Sequence, residues 1–429
     1  FLPHPCPRPY STYKFRDPID TLLLDIIVSL NYTSVHLKRT EILIVPSSRI
    51  MPAGFTNVAS GNVKFLDEFF IPESTAAQFK IPSFLGQEHY GINVGLKKSP
   101  SDRECSLRVK KFIKPFESAK KAQRCFRELQ LLKELRHENI VNLVAAYTTE
   151  QCEDSLQNVY LVTEYCGQNL STILENETEQ NHTLNFQAIQ RMICELLRAV
   201  KYLNSAGVIH RDIRPENVAI NESAKLTLID FGFARVIDQD RQMTRDPGSS
   251  LYRSIETISF SGTADMTVYN EKVDIWAIGA LLCEMIIGTP IFDHKHPLLK
   301  ALELCGPIPE NVLVKIDDKE SQEFLRNRSK SARRIDFGDY LRANGQEWLK
   351  KDIEGAREEL RDFIDRSLVF DHEQRMTVEE ALSHPFLSSV RDISREHLAS
   401  HKLADITEKS ISEWKELVWN LISSSPLRY

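Results

Sequence analysis

The chain has no long apolar run. The nearest approach, Leu22–Leu30, is short and broken by Asp25, far below the roughly 20 apolar residues that a membrane-crossing helix needs. It has no basic lead-in and no cleavage-like site, so no signal peptide is expected. Nor is there a block of one charge. The 54 basic and 60 acidic residues leave a net charge of −6, with neither the basic stretch that suits nucleic acid nor a like-charge tail. No C-x-x-C pair occurs among the eight cysteines, at 6, 105, 125, 152, 166, 194, 283 and 305, so neither a zinc site nor a disulfide framework is indicated. A reducing cytosol is the simplest setting. No internal repeat is present. Asn-x-Thr triplets at Asn31, Asn176 and Asn181 match a glycosylation pattern that chance often produces, and they carry no weight. What remains is 429 residues, 42% of them hydrophobic. That is enough for a two-lobed enzyme with a modest extension.

Residues 1 to about 62 read as an irregular extension, rich at first in proline (Pro3, Pro5, Pro7, Pro9). Within it Ile42–Val45 has the composition of a short strand. From about residue 80 the chain is rich in β-branched and aromatic residues and reads as strands. The spacing of Ala119, Ala122, Phe126, Leu129 and Leu132 predicts a helix over about 117–135 with one apolar face. Strands follow around Val141–Tyr147 and Val159–Glu164. A second helix over about 186–205 carries Ile189, Met192, Ile193, Leu196, Leu197, Val200 and Leu203, with Gly207 as its stop. A hairpin joins Val218–Ile220 to Leu226–Ile229 through Asn221-Glu222-Ser223. Beyond about residue 260 the pattern is mostly helical. Strands first and helices later imply an α+β fold in two lobes.

The strongest local signal is His210-Arg211-Asp212-Ile213-Arg214-Pro215-Glu216-Asn217, the H-R-D-L-x-x-x-N catalytic loop with isoleucine for leucine. In that pattern Asp212 accepts the proton of an attacking hydroxyl, and Asn217 offers an amide oxygen to a magnesium ion. Thirteen positions on stands Asp230-Phe231-Gly232, whose carboxylate suits a hard cation on nucleotide phosphates. Either tripeptide alone is weak; both, split by a hairpin and preceded by a long helix, are specific. Upstream, Lys110 ends a strand-like run, Leu107–Phe112, and Glu128 lies on the inward face of the 117–135 helix. They supply the phosphate-binding cation and the carboxylate that holds it, with Lys111 as an adjacent competitor. Leu85-Gly86-Gln87-Glu88-His89-Tyr90-Gly91 is a degraded glycine-rich loop. Gly86 and Gly91 remain, Glu88 replaces the middle glycine, and Asn93 replaces an apolar residue over the base. Asp274-Ile275-Trp276-Ala277-Ile278-Gly279 matches a scaffold helix, and Glu256 has Arg375 as its expected partner.

From about 64 to 425 the chain resembles the mitogen-activated protein kinases, and most closely their stress-activated branch. The resemblance rests on Lys114-Pro115-Phe116-Glu117, Phe126-Arg127-Glu128-Leu129, Arg136-His137-Glu138-Asn139-Ile140-Val141, Val159-Tyr160-Leu161-Val162-Thr163 and Ser412-Glu413-Trp414-Lys415. It implies a bilobal protein-kinase domain over 80–387. The small β-rich N-lobe would span about 80–163 and the larger helical C-lobe about 167–387. An insert falls at about 305–341, and a tail over 388–429 packs back on the small lobe. It implies an ATP- and Mg2+-dependent serine/threonine kinase of protein substrates, a monomer of the cytoplasm and also the nucleus, activated by an upstream dual-specificity kinase. It places Lys110 before Pro115-Phe116 at the family's spacing, Thr163 as gatekeeper, and Glu164-Tyr165-Cys166 as the adenine-binding hinge. Asp212, Arg214 and Lys110 fall on catalytic positions, and Asn217 and Asp230 on the metal. Thr244 falls on the activating phosphorylation site, with Arg124, Arg127 and Arg211 as phosphate partners.

The chain departs from that pattern at several points. Thr244-Arg245-Asp246 replaces Thr-x-Tyr, and Ser250 replaces one arginine of the tyrosine switch while Arg253 is kept. The threonine switch is therefore expected intact and the tyrosine switch lost, with Asp246 as a fixed charge towards Arg253. Arg108 stands where the family has alanine over the adenine, an expected desolvation cost unless it turns outward. Arg214 replaces a lysine of different reach. The loop Pro247–Leu251 departs from the family's reader of proline after the phosphoacceptor. Asp392 and Glu396, interleaved with Arg391 and Arg395, make a thin docking patch for basic peptides. Two readings follow: an active kinase, and a pseudokinase scaffold that binds partners and transfers little phosphate. All five chemical residues, Lys110, Glu128, Asp212, Asn217 and Asp230, are present, which favours the first.

Overall fold

A computed structural model describes residues 56–58, 62–66, 69–72, 81–88, 91–99, 105–177, 184–237, 243–244, 251–257, 266–267, 270–292, 296–316, 318–404 and 409–424. The strand expected at 42–45 lies outside the described residues.

The first lobe is built on a five-stranded antiparallel sheet. Its strands are β4 (Ile81–Glu88), β5 (Gly91–Lys97), β6 (Leu107–Phe112), β7 (Leu143–Tyr147) and β8 (Tyr160–Glu164), in the order β4-β5-β6-β8-β7. Before it, β1 (Thr56–Val58), β2 (Asn62–Leu66) and β3 (Phe69–Pro72) form a separate antiparallel sheet. Among the described residues, regular structure is therefore already present at Thr56, inside the stretch expected to be irregular. The reason lies in β3: Phe69 and Ile71 are buried with Val94, Val109, Ala145 and Tyr160. A surface strand with two such anchors covers one face of the five-stranded sheet. The Tyr147 hydroxyl donates to the Phe70 carbonyl at 2.8 Å, and the Tyr147 ring stacks on Tyr160 at 4.6 Å.

Helix α1 (Ala119–Glu134) packs on the other face. Ser118 caps it, its hydroxyl accepting from the Lys121 amide, and Ala122, Phe126, Leu129 and Leu132 are buried as the periodicity requires. The second lobe holds α2 (Leu170–Asn176), α3 (Phe186–Ser205), α4 (Val273–Ile287), α5 (Pro297–Cys305), α6 (Glu310–Leu313), α7 (Lys319–Ser329), α8 (Phe337–Asn344), α9 (Lys350–Gly355), α10 (Arg357–Ser367) and α11 (Val378–Leu382). Asn185 caps α3, and α4 ends at Gly288, whose φ of 87° any other residue would take up only with strain. Helix α4 is buried almost all round, which is why its sequence is apolar without a polar face. Strand β9 (Gln168–Asn169), just before α2, joins β11 (Val218–Ile220) and β12 (Leu226–Leu228), which lie between α3 and α4, in one small sheet, and β10 (Val208–Ile209) pairs with β13 (Arg235–Val236). The described part of the tail returns to the first lobe. Its helix α12 (Ile411–Ser423) buries Trp414 against Phe126, ring centroids 5.3 Å apart, and Lys133 donates to the Ser424 hydroxyl at 2.9 Å.

Candidate active site

Three segments from different parts of the chain meet between the lobes. Strand β6 delivers Lys110, α1 delivers Glu128, and the turn after β12 delivers Asp230. The Lys110 Nζ lies 2.8 Å from Glu128 Oε1 and 3.1 Å from Asp230 Oδ2, and all three side chains are at least nine-tenths buried. An ammonium taken this far from water is stable only with such partners. Burial pushes the Glu128 carboxyl above its ordinary range and the Lys110 charge opposes that rise. Lys111, the competitor from sequence, faces the other way, its ammonium over the Tyr160 ring at 5.9 Å.

Gly91 explains how Lys110 gets there. A Cβ at that position would lie 2.9 Å from both Cγ and Cε of Lys110, so only glycine leaves the lysine its path under the loop. Gly86 has a φ of 138°, beside the register shift between Phe84 and Gly86 in the β4–β5 pair. His89 and Tyr90, at the loop's tip, lie outside the described residues.

The catalytic loop is held by its backbone. Asp274, in the first turn of α4, accepts from the His210 and Arg211 amides at 2.8 Å each. With both amides turned towards one carboxylate, Arg211 has a φ of 69°, and Asp230 stands at 61°. Two non-glycine residues in the left-handed region, both within the expected site, are strain of the kind that functional loops store. The His210 ring meets Phe231 edge-on at 5.0 Å beneath them.

The side chains then converge. Asn217 Nδ2 donates to Asp212 Oδ2 at 2.7 Å and to the Asp212 carbonyl at 2.8 Å. Both amide hydrogens are therefore spent on Asp212, and the Asn217 oxygen is left as an acceptor for something else. Burial raises the Asp212 carboxyl, with Arg214 opposing the rise most strongly. Asp230 Oδ1 accepts from the Gly232 amide at 2.9 Å. A carboxylate and an amide oxygen, with the remaining positions left to phosphate and water, fit a hard divalent cation. Among the described residues no cluster of three histidine, cysteine or acidic side chains could hold a metal on its own.

Some expected residues are placed differently. The Arg214 guanidinium forks onto Glu216, with Nε and Nη2 at 2.7 and 2.6 Å from the two carboxylate oxygens. Its charge is thus partly answered within its own loop. Arg108 is half-buried and does not simply turn outward: its Nε donates to Asn93 Oδ1 at 3.0 Å. The two departures from the family on the roof of the slot thus meet each other. Opposite Arg108 in the β6–β8 pair is Thr163, buried at the gatekeeper position, with Glu164 and Cys166 following at the slot's edge. Of Thr244 only the backbone is described, paired to Met266. Arg245, Asp246 and Ser250 lie outside the described residues. Arg124 and Arg127 sit on α1, Arg127 buried, and Arg211 lies on the catalytic loop. Arg375 meets Glu256 at 2.8 Å as expected.

An amphoteric slot between a strand lobe and a helical lobe, with lysine, glutamate and aspartate joined across it, defines a protein kinase. The sequence matches the protein kinase domain family over residues 79–387. It is 33% identical to Mitogen-activated protein kinase pmk-1 of Caenorhabditis elegans over 366 residues, 83% of this chain and 90% of that one. It is 32% identical to Mitogen-activated protein kinase 12 of Mus musculus over 321 residues, 74% of this chain and 81% of that one. Mitogen-activated protein kinase hog-1 of Neurospora crassa is 32% identical over 344 residues, 79% and 87% of the two chains. The chain belongs to the mitogen-activated protein kinases, and the stress-activated branch fits. It is an ATP-dependent serine/threonine protein kinase, with protein substrates and control by an upstream kinase. No observation favours the scaffold reading.

Proposed function

We propose that the five residues divide the phosphoryl transfer as follows. Lys110, fixed by Glu128, binds the nucleotide phosphates. Asp212, oriented by Asn217, takes the proton of the attacking hydroxyl at the carboxylate oxygen that Asn217 leaves open. Arg214 supports the transferring group, restrained by Glu216. Asp230 and the Asn217 oxygen hold the cation, for which magnesium suits the hard oxygen donors; its chemistry is to neutralise charge building on the phosphates. The base lies under Asn93 and Arg108, beside Thr163, against the backbone of Glu164 and Cys166, with Gly86 and Gly91 over the phosphates. A single observation carries this reading: the Lys110 ammonium lies between the carboxylates of two other elements.

The same reading assigns Thr244 to an upstream dual-specificity kinase, with Arg124, Arg127 and Arg211 as the phosphate's partners. It assigns a monomer working in the cytoplasm and the nucleus, without nucleic acid or membrane; among the described residues no helix is long and apolar enough to cross a membrane. Docking of basic peptides past Leu387 is weak. Glu396 answers Lys201 and Arg391, and Asp392 accepts from the Ser394 amide. The acidic groups there are already engaged within the chain.

The test is thermal unfolding with and without Mg-ATP, beside the Asp230→Asn variant. A ligand bound only by the native state raises the melting temperature. Millimolar Mg-ATP is expected to stabilise the parent clearly and the variant less, and calcium is expected to replace magnesium poorly. Equal shifts in the two proteins would remove Asp230 from the metal site.

A further inference from the structure

Helix α3 faces the segment after Leu387, and between them lies a cavity of about 270 Å³ that no step above uses. Arg191, Glu195 and Arg198 line it from one face of α3, each a turn from the next, and Val390, Asp392 and Arg395 line it from the segment opposite. The carboxylates here are already answered. Glu195 is buried and accepts from the Leu226 amide at 2.7 Å, and Asp392 accepts from the Ser394 amide at 3.0 Å. Arg395 forks onto Glu138, at 3.0 and 2.5 Å.

The two arginines of α3 are not answered in the same way. Arg198 is 2% exposed, yet its nearest carboxylate oxygens stand at 3.7 Å on Glu195 and 3.9 Å on Glu138. Its contact to Asn139 Oδ1 is 3.4 Å, and its Nε has no hydrogen-bond partner among the described residues. A guanidinium removed from water is stable when carboxylates hold it at roughly 2.7–2.9 Å, and these contacts are all longer. Arg191 is exposed and makes no hydrogen bond or ion pair among the described residues. Ile393, next to Asp392 in the chain, is 69% exposed. The cavity thus has positive charge to spare and an apolar side chain beside it. Arg191 and Arg198 are separated by about 10 Å along the helix, a span that an extended peptide covers in about three residues.

We propose that this cavity docks an acidic, extended segment of a protein partner. Two carboxylates three residues apart meet Arg191 and Arg198, and a neighbouring apolar side chain rests on Ile393. The surface selects the opposite charge from the basic peptides whose docking is read above as weak. The inference rests on that reading and on none of the phosphoryl-transfer roles.

The experiment reads fluorescence anisotropy of two labelled peptides on the full chain, at low and at physiological salt. One carries Glu-x-x-Glu beside a leucine; the other has lysine at both glutamate positions. The acidic peptide is expected to bind, less tightly as salt rises, and the lysine peptide about tenfold more weakly or worse. Arg198 is buried and its loss endangers folding, so the variant is Arg191→Glu. It should weaken the acidic peptide about 3- to 10-fold, the scale of one exposed charge pair and its reversal. The melting temperature, and turnover of a short serine/threonine peptide without the acidic motif, should stay unchanged, and Arg191→Lys should keep most of the binding. A lysine peptide that binds as tightly as the acidic one overturns both the proposal and the weak docking of basic peptides. Binding of neither peptide, or an Arg191→Glu variant that holds the acidic peptide like the parent, overturns the proposal alone.

Discussion

Arg108 and Lys110 leave the same strand two residues apart and therefore on the same face, but the fold treats their charges differently. Lys110 is 5% exposed and reaches carboxylates from α1 and from the turn after β12. Arg108 is half-buried, and its Nε is met by an amide on the neighbouring strand. The first cation is fixed by tertiary structure, the second by its own sheet. A buried charge with charged partners is costly to disturb, because removing one partner strands the other. A partly buried charge met by a neutral amide is less costly to disturb. The phosphate end of the slot is thus rigid, whereas the base end can be adjusted.

The sharpest break of the phosphate end is Asp212→Asn. Asn217 still has a hydrogen-bond acceptor to hold there, but the proton acceptor is gone. We expect kcat to fall about 10²- to 10⁴-fold, the range of a lost general base, with the Mg-ATP thermal shift retained. A variant within tenfold of the parent would remove Asp212 from proton transfer. Next in size is Glu128→Gln, which leaves the Lys110 ammonium with Asp230 and a neutral amide. The expected loss in kcat/KM is about 10- to 100-fold, shared between kcat and the KM for ATP. A loss confined to melting temperature would make the pair a stability feature and nothing more.

The base end should respond in the opposite direction. Arg108→Ala removes a polar group from the roof and returns the strand to an apolar surface. The KM for ATP is expected to fall about 3- to 10-fold with kcat little changed, since a base no longer displaces water and the Asn93 contact from a guanidinium. A rise in KM would show that the arginine contacts the nucleotide favourably, and the two ends of the slot would then differ less than their burial suggests.

Much of the rigid end was legible in the sequence. His210-Arg211-Asp212, Asn217 and Asp230 are read from spacing, and α3 runs Phe186–Ser205 where the apolar series placed it. Short-range patterns of this kind are fixed by local chemistry. The Asn93–Arg108 contact was not legible. In register Asn93 stands opposite Lys110, and Arg108 opposite Gly95, so the contact runs diagonally between strands and needs the register before it can be seen. Read singly, each residue looked like damage to the adenine slot. Glu216 was missed for a related reason. It departs from no motif letter, and its importance comes only from the Arg214 guanidinium that lies against it. Thr56–Val58 was missed because a three-residue strand leaves almost no periodic signal.

The smallest effect concerns a second contrast of the same kind, between two buried carboxylates. Glu128 is answered by a cation, whereas Glu284 is answered by the Tyr252 hydroxyl, which donates to its Oε2 at 2.5 Å. Burial lifts Glu284 to about 7, and Glu216 nearby adds to the rise. The sign follows from linkage. The folded state binds this proton more tightly than the unfolded chain does, so the stabilisation is complete below the ordinary glutamate range and is lost as pH rises through about 7. One such proton changes stability by at most about 1.4 kcal/mol per pH unit. Glu284→Gln keeps an oxygen for Tyr252 and removes the titration. Between pH 5 and pH 8 the melting temperature of the variant should therefore fall less than that of the parent, with the curves diverging from about pH 5 up to about 7 and running parallel above that. Parallel curves would mean that Glu284 stays ionised in the folded protein, and that a hydroxyl serves a buried carboxylate as well as Lys110 serves Glu128.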